Sequence, residues 1–371
     1  MYHHLLQKVK EVKREWKSST IKNTLLLVSL LLEEKSCNLW KLKGSVGKLL
    51  GNQTSDVRSH YQRLKRWLRS AEDNKGIWVE MLKAAVSLLE GKSKCLILDG
   101  SSWQWSGKTY HFLTLSVLYK GVSIPIFWLE LARLGISNQW HRNKLLRLAL
   151  VLFDLSGKVL LADREYIGTD WFKALNTACL HFVIRLRNKN YEPQITATGK
   201  PMHKLENKAR SRVGRIVWQA FDLDEHQYTF VLLAIRNRSG KIELLRLITT
   251  LTPAKAVEYY GYRYRIESMF RHLKSNGFDL QSLHVEKAYK IRMMMAALVL
   301  AYCLAVIYGL KHYKQKVKCK KHGSAEISVF RWGLDKWQNH LQSFKHFLHK
   351  LFTYFNLWLI PLNNLFYKNV P

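Results

Sequence analysis

In the stretch YGYRYRIESMFRHLKSNG, which begins at Tyr260, one carboxylate stands among phenols and cations. Read as a helix at about 100° per residue, Arg263 lies one turn before Glu267, and Tyr260 and Lys274 lie two turns before and after it. The four side chains then share one face, within about 40° around the axis. A helix face that serves stability alone scatters its acids and bases or pairs them four residues apart. A lone acid flanked by cations and a phenol suits a negatively charged group held through a metal ion.

Two further acids fit that chemistry. Asp99 follows the apolar run CLIL and Asp163 follows VLLA, which predicts both carboxylates at the carboxyl ends of buried strands, rigid supports for a site. If those strands are neighbours, the two acids come within several ångströms and repel unless a cation lies between them. Glu267, from a helix near the same sheet edge, completes an all-oxygen set suited to Mg²⁺. Two such ions about 4 Å apart activate a water or a 3′-hydroxyl and stabilise the leaving oxygen of an in-line phosphoryl displacement. Arg263 and Lys274 then hold flanking phosphates, and Tyr260 donates to a phosphate or stacks on a base. Taken singly, an Asp after a strand is more often a turn or helix cap; the combination carries the reading.

The elements needed to position these groups are legible. Residues 92–189 give three strands (through Asp99, then two joined at Lys120-Gly121), a helix capped by Ser137, a strand ending at Asp163, a helix over GTDWFKALNTA and a strand over LHFVIRLRNKN. The crossover helix returns its strand beside the first, making a mixed sheet with helices on its faces. Between 190 and 252 short strands read as an inserted β-rich subdomain, and the opening helix resumes the main domain at Thr252-Pro253. The uncharged run Met293–Leu310 sits at the lower edge of a membrane span; a core helix buried against the back of the sheet is preferred, since no second span of that length follows. The resulting division is a helical basic domain over 1–90, an α/β domain over 91–310, and a basic helical C-terminal region over 311–371.

Composition supplies the partner. Lys plus Arg number 60 against 27 Asp plus Glu, a net charge of +33 with a pI near 10.0, which implies a polyanion. Within residues 1–90, LWKLKGSVGKLL, a Gly-Asn break and a second helix capped by Thr54 or Ser55 read as a helix-turn-helix whose exposed face carries Arg58, Arg63, Lys65, Arg66 and Arg69 toward a DNA groove. Five scattered cysteines argue for a reducing compartment, and Cys319 with His322 lacks two further ligands for zinc. The N-terminal residues carry charges throughout and make no secretory signal. The chain is expected in the cytoplasm, bound to a polyanion and not to a membrane.

Tyr260, Arg263, Glu267 and Lys274 match, without a gap, the Tyr-x2-Arg-x3-Glu-x6-Lys signature of the DDE transposases of bacterial insertion sequences, specifically the insertion-sequence-four group. RIESMFRHLKSNGFDL and the DREY at Asp163 also resemble that family's surroundings, and the resemblance spans roughly residues 92–310. It implies a ribonuclease H-like core with Asp99, Asp163 and Glu267 as catalytic metal ligands for two Mg²⁺ (Mn²⁺ as a substitute). It implies nicking of double-stranded DNA at terminal inverted repeats, joining of the freed 3′-hydroxyl to target DNA, and a homodimer holding two ends. Some relatives stack a flipped base on an aromatic residue of the insertion. Trp218 is the one Trp in that stretch here, and it reads first as β-core. The alternative is a non-catalytic DNA-binding regulator derived from a transposase.

Overall fold

The computed structural model describes residues 18–51, 56–70, 76–89, 93–131, 137–197, 199–237, 239–313, 325–341 and 346–347. Thr54 and Ser55, the Cys319–His322 pair and most of the basic region 311–371 lie outside these residues. By packing the chain divides into two compact units: residues 92–101 with 111–267, and residues 1–91 with 102–110 and 268–371. One division falls at 91/92, beside the expected boundary at 90, while residues 268–310 group with the first 91 residues and the C-terminal region.

The first unit is built on one eight-stranded sheet. Strands β1 (Cys95–Trp105), β2 (Lys108–Tyr119) and β3 (Val122–Leu131) are followed by helix α5 (Gln139–Leu152), strand β4 (Val159–Ala162), helix α6 (Thr169–Thr177) and strand β5 (His181–Arg185). The β2–β3 hairpin turns at Lys120 and Gly121, both at positive φ, as a two-residue loop matched to strand twist requires. Strand β4 returns parallel to β1 with Leu98 opposite Ala162, and β5 runs parallel to β4. Helix α5 packs on β3, and α6 packs on β5. The α5 cap is Asn138, whose side chain accepts the His141 N–H; the expected cap, Ser137, instead offers its carbonyl to Arg142.

The chain then forms the short helices α7 (Glu192–Ala197) and α8 (Met202–Arg210) and strands β6 (Ile216–Leu223), β7 (His226–Arg236) and β8 (Ile242–Thr249). These strands, which fall in the stretch read as a β-rich insertion, do not form a sheet of their own. Strand β8 pairs antiparallel with β5, so the sheet runs on in the order β3-β2-β1-β4-β5-β8-β7-β6. The buried face of Phe230, Leu232 and Ala234 continues the apolar layer begun by Phe172 and Phe182. The antiparallel meander followed by parallel β4 and β5 fits a ribonuclease H-like arrangement.

The second unit is helical. It contains α1 (Ser18–Glu34), α2 (Leu39–Leu50), α3 (Val57–Ser70), α4 (Ile77–Ser87), α11 (Ala288–His312) and α12 (Val329–His340). Helix α11, which extends the apolar run 293–310, is long and apolar enough to cross a membrane, but it is buried among α1, α3, α4 and α12. That corrects the expectation of a sheet behind it: the neighbours are helices. The α11–α12 approach is close because Gly309 and Gly333 present no side chain. A Cβ on Gly333 would overlap the Ala305 carbonyl oxygen, and one on Gly309 the carbonyl of Val329. Trp337 closes the contact by donating to the Leu304 carbonyl at 3.1 Å.

Candidate active site

Asp99 is the fifth residue of an eleven-residue strand and does not end it, as the apolar run CLIL suggested. What ends there is the pairing with β4, so Asp99 leaves the parallel ladder where Asp163 leaves the tip of β4. Paired strands lie about 4.8 Å apart, which brings the two acids to one edge of the sheet. The strand continues because the residues after Asp99 (GSSWQW) pack Trp103 and Trp105 inward on alternate positions.

The third acid arrives on a broken helix. Helix α9 (Pro253–Tyr260) starts at Thr252-Pro253 as expected, but the chain winds through a turn at 261–264 before α10 (Arg265–Leu273) begins. In this turn the N–H groups of Tyr262, Arg263, Arg265, Ile266 and Glu267 donate three residues back, to the carbonyls of Tyr259, Tyr260, Tyr262, Arg263 and Tyr264. The continuous face expected for Tyr260, Arg263, Glu267 and Lys274 is therefore interrupted. Gly261 and the run of aromatic residues around it are weak helix formers, and the tighter winding rotates Tyr260 relative to Glu267.

The side chains at this sheet edge are joined in two groups, Asp99–Arg263–Glu267 and Tyr260–Asp163. Arg263 Nη1 lies 3.4 Å from Asp99 Oδ2, and Arg263 Nη2 lies 2.5 Å from Glu267 Oε1. Tyr260 donates to Asp163 Oδ1 at 3.5 Å, and the Gly100 N–H donates to Asp99 Oδ1 at 2.8 Å. The Arg263 and Asp99 side chains are 16% and 21% exposed, whereas Glu267 is 54% exposed, so the cluster has one open side. Desolvation pushes the Asp99 carboxyl up to about 6; Arg263 and the Gly100 N–H oppose this, while Asp163 and Glu267 add to it. Burial likewise raises the Tyr260 phenol to about 12, with Asp163 adding to the shift. Burial works against the Arg263 charge, but Tyr260, Asp163, Glu267 and Asp99 outweigh it and hold the guanidinium above its ordinary value.

This donor set fits a hard divalent cation in its chemistry: carboxylate oxygens only, at a place where Asp99 is short of positive charge. As the side chains stand, no three His, Cys, Asp or Glu among the described residues are close enough together to hold a metal ion. The cation among these acids is the Arg263 guanidinium.

Lys274 follows α10 within the helical unit, with its ammonium 5.3 Å from the ring centroid of buried Trp103; burial lowers its pKa. On α3, Arg58, Lys65, Arg66 and Arg69 are exposed and Arg63 is half-buried, while His60, Leu64, Trp67 and Leu68 face inward. The preceding α2 ends at Gly51 in the left-handed conformation, so the expected helix–break–helix is present. Trp218 is 58% exposed on β6 and is not core. One residue not expected from the sequence is Tyr166, buried beneath the site. Its hydroxyl and His111 Nε2 lie 3.4 and 3.5 Å from where a Gly100 side chain would begin, ordinary contact distance, so both pack against the strand beside Asp99.

Residues 90–304 match the protein family described as Transposase DDE domain. No curated protein matches the chain. Among solved structures, the chain aligns with a piggyBac transposase synaptic complex with hairpin DNA at 13% identity, over 96% of this chain and 78% of that one, with a TM-score of 0.44. It aligns with the endonuclease V of Bacillus subtilis at 11% identity, over 60% of this chain and 84% of that one, with a TM-score of 0.26.

Proposed function

Because this chain belongs to the family of transposase DDE domains, we propose that it binds the ends of an insertion sequence, cleaves the DNA there and joins the 3′-hydroxyl ends to target DNA. The observation that supports this best is the gathering of Asp99, Asp163 and Glu267 around Arg263 and Tyr260 at one sheet edge. Glu267, Arg263 and Tyr260 are also residues that match the insertion-sequence-four signature. Transposases of the DDE type use divalent metal ions; Asp99, Asp163 and Glu267 would hold them here, two Mg²⁺ in this proposal. Bound there, the ions would supply charge stabilisation at the reacting phosphate and a more acidic attacking oxygen.

The chain's own groups account for the rest. The sheet fixes Asp99 and Asp163, so two ligands need no reordering when substrate arrives. Tyr260 orients the Asp163 carboxylate through its hydroxyl. Arg263 and Lys274 are the cations proposed to grip phosphates beside the scissile bond, and Arg58, Arg63 and Arg66 those proposed to meet DNA from α3. DNA as partner follows from the family and from the charge of +33. The terminal inverted repeats, the homodimer and the division into a DNA-binding domain over 1–90, a catalytic domain over 91–310 and a C-terminal region are part of the same proposal.

The test is a strand-nicking assay on supercoiled DNA carrying the element's own ends, with Mg²⁺. Wild type is expected to nick; Asp99→Asn, Asp163→Asn and Glu267→Gln are expected to bind the DNA equally well and leave it intact. Nicking by any of the three at the wild-type rate refutes the assignment. DNA binding by wild type with no metal-dependent nicking would instead make it a non-catalytic DNA-binding regulator.

A further inference from the structure

We propose that Arg263 is a cation gate: in the free protein its guanidinium occupies the place among the three acids that a divalent ion takes once DNA is bound. The proposal rests on the catalytic reading above and goes beyond it. In that reading Arg263 grips a phosphate; here it first neutralises the site, and the arriving phosphate draws it off.

Three observations carry this. The guanidinium bridges Asp99 and Glu267, one nitrogen to each, from a position only 16% exposed, so it lies within the cluster and not on its rim. The acids as they stand offer no three-ligand metal position among the described residues, and Arg263 is the group holding Asp99 and Glu267 to itself. Finally, Arg263 stands in the turn 261–264 and not within a helix, so its backbone is free of the full i→i−4 ladder on either side. An ordinary four-residue ion pair on a surface helix would join Arg263 to Glu267 alone. The second bond, to a β-strand acid 164 residues away in sequence, is what makes it a competitor for the site.

The exchange balances in charge. Three carboxylates and one guanidinium leave the cluster negative when all four are ionised, so it still attracts a divalent ion. The ion and the guanidinium repel each other at such range, so one displaces the other. A DNA phosphate offers Arg263 a bidentate partner in exchange for the two acids that it leaves. Metal affinity and DNA affinity are therefore coupled and reciprocal. The free protein holds metal weakly and is kept from cutting at random.

The experiment is a Mn²⁺ titration of the full-length protein at pH 8, reading free Mn²⁺ by electron paramagnetic resonance, with and without a duplex oligonucleotide. Without DNA, Arg263→Gln is expected to bind Mn²⁺ at least 10-fold more tightly than wild type. DNA is expected to tighten Mn²⁺ binding to wild type and to leave that of Arg263→Gln nearly unchanged. Equal or weaker Mn²⁺ binding by Arg263→Gln without DNA overturns the gate. Should that variant fail to fold, Arg263→Lys, a shorter cation that cannot bridge two acids, is expected to show a smaller tightening in the same direction, and no tightening overturns the proposal. Asp99→Asn and Glu267→Gln serve as the separate control. If they bind Mn²⁺ as wild type does, with and without DNA, the catalytic reading itself fails; if they lose Mn²⁺ while Arg263→Gln shows no gain, only the gate fails.

Discussion

Replacing Asp99 by Asn should destroy activity and stabilise the fold, because the carboxylate is held where the protein disfavours its charge. Its pKa is raised from 3.8 to about 6, first by burial, with Arg263 offsetting only part of the cost. At about 1.36 kcal/mol for each tenfold change in acidity, that rise corresponds to about 3 kcal/mol held against the charged form. Below about pH 4 the carboxyl is protonated in both folded and unfolded chains and costs nothing. Through the window from about 4 to 6 the unfolded chain loses its proton first, and above 6 the whole penalty is present. Asn keeps the acceptor for the Gly100 N–H and carries no charge, so the variant should gain about 3 kcal/mol at pH 8 and only about 1 kcal/mol at pH 4.5. For a chain of 371 residues, at about 2.1 cal/mol/K per residue, 3 kcal/mol is a rise of about 4 °C in melting temperature. Thermal unfolding of both proteins at the two pH values, in EDTA, measures it. A variant less stable at pH 8, or a gain that does not change with pH, refutes the reasoning.

Further outcomes follow from other parts of the molecule. His272 is half-buried against Phe330, shares hydrogen bonds with the Tyr302 and Ser328 hydroxyls, and has its pKa lowered to about 4 by desolvation and Arg271. Its contribution is present above pH 6.5 and lost as pH falls toward 4, at a cost of about 3 kcal/mol; His272→Gln should flatten that acid limb in a urea titration. Gly333→Ala drives a methyl into the Ala305 carbonyl at the α11–α12 crossing and should destabilise the helical unit by about 1–3 kcal/mol or more, seen as a lower urea midpoint. DNA affinity should fall steeply with salt, and the Arg58→Gln, Arg66→Gln double variant should make the log–log slope shallower by about 2, as measured by fluorescence anisotropy.

Much of this structure could be read from residue types. The strands through Asp99 and Asp163 show as apolar runs, the hairpin at Lys120-Gly121 as a turn signal, and the crossover placing β4 beside β1 follows from chain handedness. The acids themselves were legible only in combination: an Asp after a buried strand is common, but two of them with a lone Glu among spaced cations seldom coincide in one chain. Two features were not legible. A single glycine, Gly261, does not reveal whether a helix runs through it, and here the tyrosines around it tip the balance toward a tight turn. Nor does alternation say which sheet a strand joins: β8 finds β5, 57 residues away from its own start at Ile242 back to Arg185, and only packing decides that pairing. The neighbours of α11 were hidden for the same reason, since an apolar run on every side fits a sheet and a helical bundle equally well. The contacts of Arg263 were likewise out of reach. Spacing places it beside Glu267, whereas its bond to Asp99 is set by the tertiary fold.

The central claim is that Asp99, Asp163 and Glu267 together bind divalent metal at the DNA. Iron(II)-directed cleavage tests it most directly: with Fe²⁺ in place of Mg²⁺, bound DNA and a peroxide, radicals formed at the metal cut the protein backbone close by. Three sets of cuts, around residues 99, 163 and 267, suppressed by excess Mg²⁺ and lost in Asp163→Asn, are the expected result. Cuts confined to other segments, or a pattern unchanged in Asp163→Asn, would contradict it.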